Sequence, residues 1–60
     1  MTLGRLFLEA DLAGVKPLHW DGLGTGRVRC SLNGDPDFAG VGPDGRSALA
    51  HLLRRLKVLK

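Results

Sequence analysis

Gly34-Asp35-Pro36-Asp37-Phe38-Ala39-Gly40-Val41-Gly42-Pro43-Asp44-Gly45-Arg46-Ser47, with the apolar-periodic run that follows it to Lys60, decides the fold. The stretch holds four of the nine glycines and two of the three prolines, so it reads as a connection. A strand ends going into it and a helix begins coming out. Asn33-Gly34-Asp35-Pro36-Asp37 is strong turn chemistry, and Phe38 and Val41 are the only bulky apolar side chains available to pin the connection to a core. Ser47 is a good N-cap for the helix beyond, and Asp44 is a second candidate. Ala48, Leu49, Leu52, Leu53, Leu56 and Leu59 then form a broad apolar stripe at helical spacing. His51, Arg54, Arg55 and Lys57 face away from it, Lys60 stands beside it, and Val58 is the one apolar residue on the polar face. The cations crowding the final turns also suit the helix dipole.

Upstream of the connection, Arg27 to Leu32 alternates cleanly. Val28, Cys30 and Leu32 fall on one face, and Arg27, Arg29 and Ser31 on the other. Val15 to Trp20 alternates imperfectly, and Pro17 confines it to an edge strand. Asp21-Gly22-Leu23-Gly24-Thr25-Gly26 lies between them as a glycine-rich turn, so the pair reads as a β-hairpin with one face on the core and one in water. Before the hairpin, Leu3, Leu6, Phe7, Ala10 and Ala13 repeat with one helical face between Thr2 and Ala13. Thr2 can cap that helix and Gly14 can terminate it. A strand through Leu6-Phe7-Leu8 is the rival reading. Leu8 and Leu12 fall off the helical face and widen the apolar surface beyond what one core contact requires. The expected architecture is a single two-layer α+β domain over residues 1–60, in the order α-β-β-α.

The bulk composition bounds the function. Sixty residues form one small domain, and a chain of this size buries only ~60% of its unfolded surface. One cysteine excludes an internal disulfide, and one cysteine with two histidines, His19 and His51, makes no convincing zinc site. Oligomerisation or a protein partner is the expected remedy, with no cofactor. The mix of 43% hydrophobic and 25% charged residues is that of a globular chain. No apolar run approaches the ~20 residues of a membrane span, and the N-terminus lacks a signal-peptide layout. A cytoplasmic setting with no membrane contact is therefore expected. Net charge +3 and a pI near 9.8 permit an acidic partner without requiring one.

Nothing reads as a catalytic constellation, and the expectation is a non-enzyme. Gly24-Thr25-Gly26 precedes a strand rather than a helix, so it is a hairpin turn and not a dinucleotide fingerprint. Cys30 alternates onto the core face as a small buried hydrophobe. Asp35, Asp37 and Asp44 fit local turn hydrogen bonds better than a metal or an acid–base pair. Arg27, Arg29, Arg46, Arg54, Arg55, Lys57 and Lys60 are the main cations. They read either as a solvated surface or as a phosphate-tracking patch beside the glycine turn.

From Arg27 onward the order strand, Gly34-Asp35, short connection, Gly42-Pro43-Asp44-Gly45, helix resembles the KH-type domain of the Jag/SpoIIIJ-associated RNA-binding proteins. Gly45-Arg46-Ser47 matches that family's Gly-(Arg/Gln)-Thr helix start. The resemblance implies a groove for single-stranded RNA, with the glycine loop on backbone phosphates. Carried onto this sequence, the binding residues would be Gly42, Gly45, Arg46, Arg54, Arg55, Arg27 and Arg29. The family's loop usually carries Arg or Lys between its glycines, where this chain has Pro43 and Asp44. A second resemblance, of Phe38-Ala39-Gly40-Val41, Gly45-Arg46-Ser47 and the leucine-rich helix, is to HicB-like antitoxin domains. It implies a dimerising or protein-binding module that uses leucine-rich helix faces, and it accounts for Asp44 because that turn needs no phosphate contact.

Overall fold

A computed structural model describes residues 1–59. It contains α1 (Leu3–Leu12), β1 (Leu18–Gly22), β2 (Val28–Leu32), β3 (Ala39–Gly42) and α2 (Gly45–Arg55). The three strands form one antiparallel sheet in the order β1-β2-β3. The architecture is the expected small α+β domain, with a third strand where the sequence reads as connection. The register aligns Trp20 with Cys30 and Cys30 with Gly40. That row points toward the helices, since Cys30 is fully buried in the core and a side chain on Gly40 would meet α2. The next residue along each strand faces the opposite way, which puts His19, Asp21, Arg29, Ser31 and Val41 on the outer face.

The third strand is short and made of small residues because it lies against α2 backbone to backbone. A Cβ on Gly40 would overlap the Leu52 amide and the Ala48 carbonyl, and one on Gly42 would stand 2.5 Å from Ser47 Cβ. Phe38 and Val41 therefore do not pin this segment as expected. Phe38 is largely exposed, Val41 is half-buried on the outer face, and the anchoring contact is the glycine backbone itself. The core gathers Leu6 and Ala10 of α1, Val15, Cys30 of β2, and Ala48, Leu49, Leu52 and Leu53 of α2. All of these are close to fully buried.

Both helices end in the same way. The Gly14 N–H donates to the Asp11 carbonyl and the Val15 N–H to the Ala10 carbonyl, with Gly14 left-handed at φ 73°. At the other end of the chain, the Lys57 and Val58 amides donate to the Arg54 and Leu53 carbonyls, with Lys57 left-handed at φ 61°. This is the Schellman pattern, with glycine at one site and a strained lysine at the other. It stops α2 short of the expected Lys60 and folds Val58 and Leu59 back against the core. Val58 is thus half-buried rather than on a polar helical face, and the placement expected for Lys60 lies outside the described residues.

Thr2 caps α1, its hydroxyl accepting the Arg5 N–H at 3.2 Å. For α2 the cap is Asp44, not Ser47. The helix begins two residues before Ser47, and Ser47 takes the third helical position, where its amide needs an acceptor. The first strand also runs later than the Val15–Trp20 reading. Val15 is spent on the end of α1, and pairing continues through Asp21 and Gly22.

Candidate functional site

The glycine turn expected to cradle phosphate is closed by the chain's own atoms. The Ser47 N–H donates to Asp44 Oδ1 at 2.8 Å. That backbone hydrogen bond, together with the Ser47 side chain and the nearby Arg46 charge, holds the Asp44 carboxyl below its ordinary value. A carboxylate satisfied in this way occupies the helix N-terminus where an anion would sit. Gly42 is buried under Ser47, and Gly45 lies beside the indole of Trp20, 3.4 Å from the position its Cβ would take. Gly42 serves close packing, whereas a side chain at Gly45 would meet the indole only at ordinary contact distance. Asp35 is a turn residue too, accepting the Asp37 N–H at 2.9 Å.

The cations expected around that turn go to separate places. Arg46 and Arg54 line one cleft of about 250 Å³ between the start of α1 and the outer side of α2, with Met1, Leu6, Ala50 and Leu59. Arg55 leaves that side and donates to the Ala39 carbonyl at 2.9 Å. Arg29 pairs with Asp21 at 3.0 Å on the outer face of the sheet, and Arg27 is exposed in the hairpin turn. The structure thus brings Arg46 and Arg54 together and leaves Arg27, Arg29 and Arg55 apart from them, because strand alternation and helix position point the groups in different directions. Cys30 is fully buried, and burial pushes its thiol up to about 11, so it stays protonated at neutral pH. Among the described residues no cluster of three or more histidine, cysteine or acidic side chains is placed to hold a metal. No described helix is long and apolar enough to cross a membrane.

The backbone of the sheet carries a clearer asymmetry. In an antiparallel pair, alternate residues turn their N–H and C=O toward the neighbour and the others turn them away. Leu32 N–H donates to the Phe38 carbonyl, so Val41 and Ala39 direct their groups to the free side of β3. Side chains of α2 cover that side. The Val41 N–H donates to His51 Nδ1 at 3.0 Å, and Arg55 takes the Ala39 carbonyl. His51 and Arg55 are one helical turn apart, so one helix edge lies along one strand edge and takes an amide and a carbonyl from it.

On β1, Asn33 N–H donates to the Pro17 carbonyl and Leu23 N–H to the Arg27 carbonyl. These two bonds bracket the ladder, and leave Leu18, Trp20 and Gly22 with outward-facing backbone groups. No hydrogen bond among the described residues reaches those groups. The side chains around them are apolar and open. Trp20 is 38% exposed, Leu23 38% and Phe7 42%, and the Phe7 ring meets Trp20 edge-on at 6.1 Å. On the far face of α1, Leu8 is 46% and Leu12 74% exposed. The sequence had marked Leu8 and Leu12 as surplus to one core contact and β1 as an edge strand. It gave no sign that α2 covers the opposite edge.

The chain matches no protein-family model, no curated protein and no solved structure.

Proposed function

We propose that this chain is a non-catalytic protein-interaction module that works as an oligomer, closer to the HicB-like reading than to the RNA-binding one. The observation that carries it is that most of the exposed large apolar side chains belong to the first part of the chain, α1 through the hairpin turn. Six of the eight among the described residues, Leu3, Phe7, Leu8, Leu12, Trp20 and Leu23, belong to α1, β1 or the hairpin turn after β1; Met1 precedes α1 and Phe38 precedes β3. Exposed apolar side chains scattered singly are ordinary, whereas their concentration in one part of so small a chain marks a surface that binds. The leucines available for contact are those of α1, since Leu49, Leu52 and Leu53 of α2 are spent on the internal core. Support against a phosphate cradle comes from Asp44, whose carboxylate already holds the helix N-terminus.

Melting followed by circular dichroism over a wide range of protein concentration tests the reading. The midpoint of an oligomer rises with concentration, because association stabilises only the folded form. A midpoint independent of concentration, with a labelled single-stranded RNA bound at low salt and released by Arg46→Glu, would reverse the assignment in favour of the nucleic-acid reading.

A further inference from the structure

The open edge of β1 is self-complementary, and we infer that a second copy of this chain adds to it in antiparallel fashion, with the two-fold axis at Trp20. This inference rests on the oligomeric reading above and names its contact. Only residues with outward-facing backbone groups can pair across the edge, so Leu18, Trp20 or Gly22 must face one another. Charge on the outer face then selects among the registers. Trp20 opposite Leu18 of the second copy would put His19 against His19. Trp20 opposite Gly22 would put Asp21 against Asp21. With Trp20 opposite Trp20, His19 meets Asp21 of the second copy at both ends of the strand, and Leu18 meets Gly22.

That register alone satisfies every outward N–H and C=O of Leu18, Trp20 and Gly22, and joins the two sheets into one of six strands. Two carboxylates directly across a strand pair are unfavourable, whereas a carboxylate opposite an imidazole is a hydrogen-bonding pair. The acidic group is already set for the part: Asp21 is held by Arg29 at 3.0 Å and approached by His19 at 3.5 Å, all on the outer face. On the helix side, Trp20 and the adjoining Phe7 ring lose their solvent-exposed surface against the same pair from the second copy. Pro17 does not obstruct this edge, since its position faces β2, where its carbonyl accepts from Asn33. A chain this small gains a larger core by the union, which is the usual need below ~70–80 residues.

Light scattering after size exclusion, with residue-resolved amide exchange at low and high protein concentration, tests the inference. The expected mass moves from 6.4 kDa towards twice that value. The Leu18, Trp20 and Gly22 amides should exchange about tenfold more slowly in the concentrated sample, as a hydrogen-bonded edge requires. His19→Asp should be monomeric, having carboxylates opposed across the axis, and Asp21→Lys should associate more weakly than the parent, having lost the carboxylate that faces His19. An equimolar mixture of the two should recover the dimer, because each then presents the opposite charge. Recovery also shows that the separate variants fold. A dimer whose Leu18, Trp20 and Gly22 amides exchange at the same rate at both concentrations would overturn the β1 contact while leaving the oligomeric reading intact. So would a dimer abolished by Leu12→Glu but untouched by His19→Asp, since α1 would then be the interface. A monomer at every concentration would overturn both.

Discussion

The two edges of the sheet have opposite fates. β3 lies under α2, its free amide and carbonyl taken by His51 and Arg55 and its side chains reduced to glycine where the helix touches it. β1 has its outward backbone groups open and a ring of exposed aromatic and aliphatic carbon around them. An uncovered edge strand is a template for another strand, and natural sheets usually blunt both edges. Here one edge is blunted with side chains from the helix that packs beside it, and the other keeps its pairing capacity. The contrast divides the sheet into a covered β3 edge and an open β1 edge, while α1 still gives Leu6 and Ala10 to the shared core.

The strongest way to break that division is to disturb the sealed half. Gly40→Ala forces a methyl into the backbone of Leu52 and Ala48, and overpacking of this kind costs about 3 kcal/mol. A domain of this size has roughly 3–9 kcal/mol in total, so chemical denaturation should find the variant largely unfolded or close to it. The matched change on the open edge, Gly22→Ala, meets nothing within 4 Å and should leave the denaturation midpoint nearly unmoved.

Helix ends give a second, smaller contrast. Gly14 and Lys57 hold the same left-handed position after α1 and α2. Lys57→Gly should raise stability by about 1 kcal/mol, and Gly14→Ala should lower it by about the same, as read by urea titration. Unsealing the third strand comes next. Arg55→Ala removes the donor to Ala39, a loss of about 1 kcal/mol, and combined with His51→Ala it leaves two open edges. That double variant should form species larger than a dimer in light scattering, where the parent chain does not.

The least of these effects is in acid. Asp44 has its folded carboxyl depressed, so its contribution is present above the ordinary value of 3.8 and is lost as pH falls through the lower folded value. Melting temperature should decline through that window. Asp44→Asn keeps an uncharged cap and should show a shallower decline.

How far the sequence was legible follows from which side chains announce their surroundings. α1 could be read because Leu6 and Ala10 repeat with the helix and Thr2 and Gly14 mark its ends. β2 could be read because Val28, Cys30 and Leu32 alternate with charged and polar residues. β3 could not, since its inward positions are Gly40 and Gly42, and a strand with no inward side chains shows no period. The cap of α2 went to Asp44 for a related reason. Asp44 and Ser47 are both good caps, and only the onset of helix at Gly45 separates them. The expected binding residues scattered because one-dimensional proximity does not say which side of a sheet or helix a cation will take. Arg29 and Arg55 in particular are engaged with Asp21 and Ala39, which lie on other elements.

Cys30 sits in the middle strand, flanked in register by Trp20 on one side and Gly40 on the other, with its thiol shut away from solvent and pushed up to about 11. It shares one buried cluster with residues of α1 and α2, so exposing the sulfur requires that cluster to open. Alkylation at mildly alkaline pH should therefore proceed at the rate set by global opening, and slow as protein concentration rises if the chain associates. The molecule thus carries a built-in counter of whole-chain unfolding, one that would also register any association that stabilises the folded chain.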